Sequence, residues 1–501
     1  MKLVSSSSSS SSCTNTAPIS PVIRSLFTEA SVLTTYLHYK PWHIYPHTMS
    51  PPPPPSTSAP PKQSQAHYIL DAHMHLWPAS IANSTAHTWM THDHPLARAY
   101  VLDDYVAAAS PAVEFATSQL SENNAATAST KPNHLGVVYV ETDRTILPAS
   151  GAADIEEEGK EEELLRRYAH QLDELNILRS FVTADKHGSL IRAIVAFAPI
   201  NLGPEELERY MPRAREVAGE ETWRRVVGFR YLVQGLRDQR KFEGLVGSET
   251  WVRGLKWLGK EGSAWRWQGD GQGEGEGNEE METERAGGLR RKRRRGFTFD
   301  VGIDQRQGGD FQLEGFAECV ERVRKLEDAE QIDDESENGE TPRTTFILNH
   351  FLKPSFSATS STAFKTWHAA LSRFAAQPAV YLKLSGFLTE LPSRITSSST
   401  SASTSTSNET FDLIVPYVKA AVDLFGAQRI MYGSDWPVCN VGPGGSGENG
   451  GQGHWREWLG VAERLLHEVG VEESEREWVW WRTAVEAYGI EIDVDGKEME
   501  V

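Results

Sequence analysis

Apolar residues along the chain gather into eight short runs separated by longer stretches in which apolar and polar positions alternate at helical spacing. The runs are Tyr68–Asp71, Leu135–Glu141, Ile191–Phe197, Val226–Leu232, Phe297–Ile303, Thr345–Asn349, Val380–Leu384 and Arg429–Tyr432. Each is rich in Val, Ile, Leu, Phe and Tyr and lacks sustained alternation, as expected of strands covered on both faces. Amphipathic segments lie between them, among them Glu161–Val182, Pro204–Val217, Phe311–Glu327, Phe364–Ala376, Phe411–Phe425 and Trp455–Val469. Strand and helix in regular alternation predict an α/β protein with a parallel sheet, and eight repeats predict closure into a (β/α)8 TIM-like barrel. An open doubly wound sheet is the alternative, but no G-x-G-x-x-G follows an early strand.

Long polar tracts interrupt this scheme. Residues 1–66 hold serine and proline homopolymers at Ser5–Ser12 and Pro51–Pro55, a composition that cannot bury enough apolar surface to offset chain entropy, so a disordered tail is expected there. A single barrel domain is expected over residues 67–490. Inserts fall near 121–131, 149–163, 262–295, 327–343, 393–407 and 442–453, and an acidic tail covers 491–501. All six inserts read as surface loops, because the segments flanking them belong to one repeating pattern.

Composition narrows the function classes. A net charge of −19 argues against nucleic acid as a general partner. No apolar run approaches the roughly 18 residues of a membrane span. Three scattered cysteines, Cys13, Cys319 and Cys439, make neither a disulfide framework nor a cysteine zinc site. The default compartment is therefore the cytoplasm. The Ser-rich, acid-poor start is compatible with organellar targeting and Arg290–Arg295 with nuclear import, although neutralisation by the acidic residues before that basic run is the simpler reading. Oligomeric state is not legible.

In a barrel of this kind reactive groups belong at the C-terminal strand ends. The first run leads into Asp71-Ala72-His73-Met74-His75-Leu76-Trp77, where i and i+2 point to one side and place His73 and His75 together. The sixth run ends in Asn349-His350 and the eighth is followed by Gly433-Ser434-Asp435-Trp436-Pro437. Three imidazoles and a carboxylate converging on one axis are what a metal-assisted or base-assisted hydrolase needs. A second His-x-His, His92 and His94, sits in a polar stretch with no strand before it. The plain alternative for His73 and His75 is a pair of hydrogen-bonded core histidines, which would leave His350 and Asp435 at matching ends unexplained. No Gly-x-Ser-x-Gly elbow occurs, which disfavours a serine esterase.

At these residues the sequence resembles the amidohydrolase-related family 2, closest to its sugar-lactonase branch (rhamnono- and fucono-lactones) and the pyrone-dicarboxylate lactonases. The resemblance is carried, in order, by the block from Asp71 to Trp77, Gly228-Phe229-Arg230-Tyr231-Leu232-Val233-Gln234, Leu348-Asn349-His350-Phe351-Leu352-Lys353-Pro354, Lys383-Leu384-Ser385-Gly386 with Thr389-Glu390, and Tyr432-Gly433-Ser434-Asp435-Trp436-Pro437. It implies a hydrolase that opens a small lactone, with Asp435 activating water and His350 sharing the catalytic work. Arg230, His73 and His75 would bind substrate, with Gln234 and Glu141 as further contacts. His73, His75, His350 and Asp435 would form a single metal site if one divalent ion, zinc or manganese, is bound. The family is divided over metal, and a metal-free site is equally compatible. The absence of a lysine after run four and of a histidine after run five speaks against two metals.

Several residues carry two readings. Glu141 either faces the site or pairs with Arg144, and Gln234 either reaches substrate or caps a turn. Ser385 either bonds ligand or fits a tight backbone, and Asp300 or Asp304 would support a histidine or arginine. Trp77 and Trp436 either shield the site or pack the rim. Two other functions stay open: a different reaction of the superfamily, such as decarboxylation or C–N hydrolysis, and a non-catalytic scaffold.

Overall fold

The computed structural model describes residues 68–115, 131–150, 157–266, 295–333, 342–391, 405–441, 454–494 and 497–498. Eight parallel strands follow one another in chain order: β1 Tyr68–Met74, β2 Asn133–Val140, β3 Ile191–Phe197, β4 Val226–Arg230, β5 Thr298–Val301, β6 Thr345–Leu348, β7 Val380–Leu384 and β8 Ile430–Tyr432. Each expected run became a strand within a few residues of its expected ends. A two-residue strand, Glu114–Phe115, adds to the start of β2. Nearly every strand residue is buried, which explains the continuous apolar runs: one face fills the barrel and the other meets helices.

The helices cover the barrel with apolar stripes. Glu249–Trp257 buries Trp251, Val252, Leu255 and Trp257 after Ser248 accepts the Trp251 N–H at 3.2 Å. Thr362–Ala375 starts the same way, with Ser361 accepting from Phe364 N at 3.1 Å and Trp367, Leu371 and Phe374 turned inward. Polar inserts that read as loops in the sequence are partly helical. Glu157–Arg167 takes up part of 149–163, Lys260–Arg266 opens 262–295, Asp310–Asp333 runs into 327–343 and Ser405–Phe425 begins inside 393–407. The Glu, Lys, Arg and Leu of the first three are good helix formers even where no apolar stripe marks them. The tail over 1–66, the basic residues 290–294 and the Gly-rich 442–453 lie outside the described residues.

Seven of the eight seams are ordinary parallel ladders; for example, Gly228, Phe229 and Arg230 pair with Thr298, Phe299 and Asp300. The last seam, β8 to β1, is closed instead beyond the strand ends. The bridge Met74–Trp436, Asp435 N–H to His73 O (2.8 Å) and His75 N–H to Trp436 O (2.8 Å) hold it. Asp71, fully buried on β1, stitches the same seam. It accepts from Ser434 N (2.8 Å), Tyr105 Oη (2.8 Å), His73 N (3.2 Å) and Trp455 Nε1 (3.2 Å). Burial pushes its carboxyl pKa up in spite of these donors.

His134 completes the network in a single proton arrangement. Gly136 N–H donates to its Nδ1 (3.1 Å), so the ring proton sits on Nε2 and is donated to Tyr105 Oη (2.8 Å), whose own proton goes to Asp71. A second ring proton would face the Gly136 N–H, and burial followed by the charge of Arg192 lowers the His134 pKa to about 3. The unfolded chain therefore binds a proton that the fold refuses, and the stabilisation from His134 is complete above the ordinary histidine pKa of 6.5 and fades as pH falls toward about 3. Going from about pH 8 to about pH 5 should remove about 2 kcal/mol through this residue alone. Chemical denaturation at both pH values checks it: His134→Gln, which keeps an acceptor and a donor, should show the smaller loss. Equal losses in variant and wild type would contradict this account.

Candidate active site

The β8–β1 seam brings the chemistry together. His73 is the sixth residue of β1, and His75 lies just past its end. Asp435 follows β8 with φ of 58°, a left-handed conformation that a non-glycine residue adopts only under tertiary constraint. Its Oδ1 lies 3.7 Å from His73 Nε2, 3.6 Å from His75 Nε2 and 3.9 Å from His350 Nε2. All four side chains are buried, as their place in a barrel mouth requires. Gly433 stands where β8 passes β1, and a Cβ there would come within 2.8 Å of His73 Cβ.

His350 is delivered by an unusual turn. From His350 to Lys353 every residue has positive φ, between 41° and 64°. Trp367 Nε1 holds this turn by donating to Phe351 O at 2.8 Å. Ser385 Oγ meets His350 Nδ1 at 2.8 Å and aims Nε2 at Asp435. Ser385 thus serves the imidazole, a role its size and position on a tight turn did not reveal. Beside it Gly386, at φ 72°, leaves the space that a Cβ 2.5 Å from His350 Nδ1 would fill.

Electrostatics set the protonation of the set. Burial lowers the His350 pKa to about 3 and holds that of His73 well below 6.5, with Lys383 the next cause for His73. Burial alone would raise the Asp435 carboxyl, but His350 and His75 outweigh it and its pKa falls below 3.8. At neutral pH the centre is a carboxylate facing the neutral imidazoles of His73 and His350.

Arg230 ends β4 and is gripped by Glu141. Its Nε donates to Glu141 Oε1 at 2.5 Å, and its Nη2 donates to the Glu141 carbonyl. Burial works against the guanidinium, yet Glu141 more than compensates and the Arg230 pKa rises. Glu141 therefore pairs with Arg230 and not with Arg144, whose Nη2 bonds Asp173 at 3.1 Å instead. Asp143, at φ 57°, donates its N–H to Glu141 Oε2 at 2.6 Å. Burial and the Glu141 charge lift the Asp143 carboxyl to about 7. Gln234 lies over Gly302 just after β5, and its carbonyl accepts from Gln312.

Other residues singled out in the sequence lie elsewhere. His92 is exposed beside Asp93. Trp77 donates to Arg98 O at 2.7 Å and packs on Trp89 and Tyr100, and Trp436 packs on Tyr100 and Tyr105; both are part of the core. Asp304 bonds Gln312 and Gln307. Asp300 pairs with the buried Lys383, whose ammonium also reaches His73 Nδ1. The pairing of Lys383 with His73 was not visible in the sequence, because 310 positions separate the two residues.

The donor atoms of His73, His75 and Asp435 lie within 4.8 Å of one another, a spacing that suits a divalent ion. The protons do not suit it equally. His75 Nδ1 donates to Val140 O (2.7 Å), which turns the Nε2 lone pair to the centre. His73 Nδ1 instead faces an ammonium, which leaves its proton on Nε2. With its Nδ1 accepting from the Lys383 ammonium at 3.3 Å, His73 would turn a proton and not a lone pair toward an ion.

The fold and site define a parallel eight-stranded α/β barrel with histidines and an acid at its C-terminal strand ends. Residues 332–490 match the family model described as Amidohydrolase. The L-rhamnono-gamma-lactonase of Scheffersomyces stipitis is 25% identical over 431 residues, 84% of this chain and 98% of that protein. The L-fucono-1,5-lactonase of Burkholderia ambifaria is 35% identical over 117 residues, 23% of this chain and 33% of that protein. A solved amidohydrolase from Burkholderia multivorans with bound zinc is 20% identical, with 84% of this chain and 99% of that one covered and a TM-score of 0.48. Over residues 332–490 the chain is thus similar to the amidohydrolases, and it is a hydrolase. Among the described residues no helix is long and apolar enough to cross a membrane.

Glu141 and Arg230 offer a direct test of the site's electrostatic frame. Glu141→Gln leaves a buried guanidinium without its counter-charge and should cost about 3 kcal/mol in urea unfolding. Replacing both with Met and Leu should recover most of that loss. A loss below about 1 kcal/mol for Glu141→Gln would mean that Arg230 does not depend on it.

Proposed function

We propose that this hydrolase opens a small lactone, most simply a sugar-acid lactone of the rhamnono- or fucono-lactone kind. The observation that carries the reading is the ionised, buried Asp435 within 4 Å of three imidazole nitrogens at the mouth of the barrel. The names of the two lactonases similar to this chain support the substrate class. A lactone carbonyl needs an activated water and a place for negative charge to collect, and these residues supply both.

In this reading Asp435 takes a proton from water as the oxygen attacks the carbonyl carbon. The charge that grows on the carbonyl oxygen meets the N–H of His73 and the guanidinium of Arg230, which Glu141 holds in place. The ring C–O bond then breaks, and the proton held by Asp435 passes to the departing oxygen, giving the open hydroxy acid. No step is routed through a metal ion, because the proton on His73 faces the place where one would bind. Gln234, beyond the end of β4, and Asp143, beyond the end of β2, would contact the sugar hydroxyls.

Acid release from a panel of sugar-acid and pyrone-dicarboxylate lactones tests the reading. Asp435→Asn should lower kcat by about a thousandfold or more, the scale expected when the general base is lost from a centre that keeps its other groups. A chelator should leave wild-type turnover unchanged. Equal rates in wild type and variant, or no turnover of any lactone by folded protein, would overturn it.

A further inference from the structure

Behind the reacting centre lies a buried ion pair to which the reaction itself assigns nothing. Lys383, on β7, and Asp300, on β5, are both fully buried, with Nζ 2.6 Å from Asp300 Oδ2. Tyr488 Oη stands 2.8 Å from the same oxygen and 3.1 Å from its twin, and the Tyr488 ring lies 5.4 Å from the ammonium. Two strands and a C-terminal helix thus fix one cation in one place. A charge pair so far from water is costly to maintain, which directs attention to what the cation touches. It touches His73 Nδ1, at 3.3 Å.

An ammonium has only protons to offer, so His73 Nδ1 must receive one of them on a lone pair. A neutral imidazole with a bare Nδ1 carries its proton on Nε2. The opposite end of the cluster leads to the same assignment independently. Val140 O can only accept, so His75 carries its proton on Nδ1 and its Nε2 is bare. That bare nitrogen lies 3.2 Å from His73 Nε2, a contact that is a hydrogen bond only if His73 Nε2 holds a proton. One proton arrangement satisfies every contact from Asp300 through Lys383, His73 and His75 to Val140.

We propose that Lys383, held by Asp300 and Tyr488, is a positioning residue that keeps His73 in its Nε2–H form, so that His73 presents a proton and not a metal-binding lone pair to the reacting centre. The role for the reaction rests on the lactonase reading, whereas the tautomer itself does not. The same pair accounts for a cluster whose spacing suits a metal and whose protons oppose one. Replacing Lys383 by an apolar residue frees His73 to take the other tautomer and turns a hydrogen-bonding site toward a metal-binding one.

The test reads the tautomer directly. Full-length protein labelled with nitrogen-15 in its histidine rings, freed of metal by chelation, is studied by long-range proton–nitrogen NMR, with His73 assigned from its loss in His73→Asn. A bare Nδ1 and protonated Nε2 are expected, and a protonated Nδ1 overturns the proposal whether or not any lactone is turned over. Lys383→Met, and Lys383→Met/Asp300→Asn in case the lone carboxylate prevents folding, should release the tautomer. They should lower kcat about tenfold with little change in KM and bind zinc about tenfold more tightly than wild type, the scale set by hydrogen-bonding partners of ligands. Lys383→Arg should restore the Nε2–H form. Variants that keep the wild-type tautomer, kcat and zinc affinity would show that Lys383 does not set it.

Discussion

The structure turns on how a single buried carboxylate closes the barrel. Every other seam is a ladder of peptide hydrogen bonds, but β8 is short and meets β1 mainly beyond the strand ends. Asp71 makes up the difference by accepting four donors from β1 itself, the segment after β8 and two helices. A buried carboxylate is tolerated only with such partners. Because the donors include Ser434 N and His73 N, satisfying Asp71 also sets the distance between the two segments that carry Asp435 and the histidine pair. Stability and site geometry therefore rest on the same atoms.

From that seam the site is organised by the direction of its hydrogen bonds. Acceptor-only and donor-only groups lie at the two ends of the cluster, Val140 O beyond His75 and the Lys383 ammonium beyond His73. They force each ring to place its proton at one nitrogen. Ser385 orients His350, and Glu141 braces Arg230, so that each group near Asp435 has a partner behind it. The left-handed residues at Asp435 and over His350–Lys353 show where the backbone bends to reach these positions. Such strain persists where surrounding packing over-determines it, here through Trp367, which bonds the Phe351 carbonyl, and Phe387, which packs on the Phe351 ring.

Much of the architecture was legible because both of its signals are local. Fully covered strands leave continuous apolar runs, and covering helices leave apolar stripes, so all eight strands and most long helices could be placed within a few residues. The centre itself, His73, His75, His350 and Asp435, followed from the rule that strand ends converge. Less legible were polar segments such as Glu157–Arg167 and the end of Asp310–Asp333, where composition suggested loops and helix propensity prevailed. The partner of Glu141 was left open between two readings for a related reason. Arg144 is near in sequence, whereas Arg230 is 89 positions away and near only across β3.

The sequence by itself determined the repeat, the barrel and the residue types at each strand end, since these depend on periodicity and on chain order alone. Tertiary structure decided which side chains face one another and which nitrogen bears each proton. Lys383, Asp300 and Tyr488 show the difference: none forms a motif with His73, and only closure of the barrel places an ammonium against that ring. The state of an imidazole is set within hydrogen-bonding distance, and the groups at that distance come from strands that sequence order keeps apart.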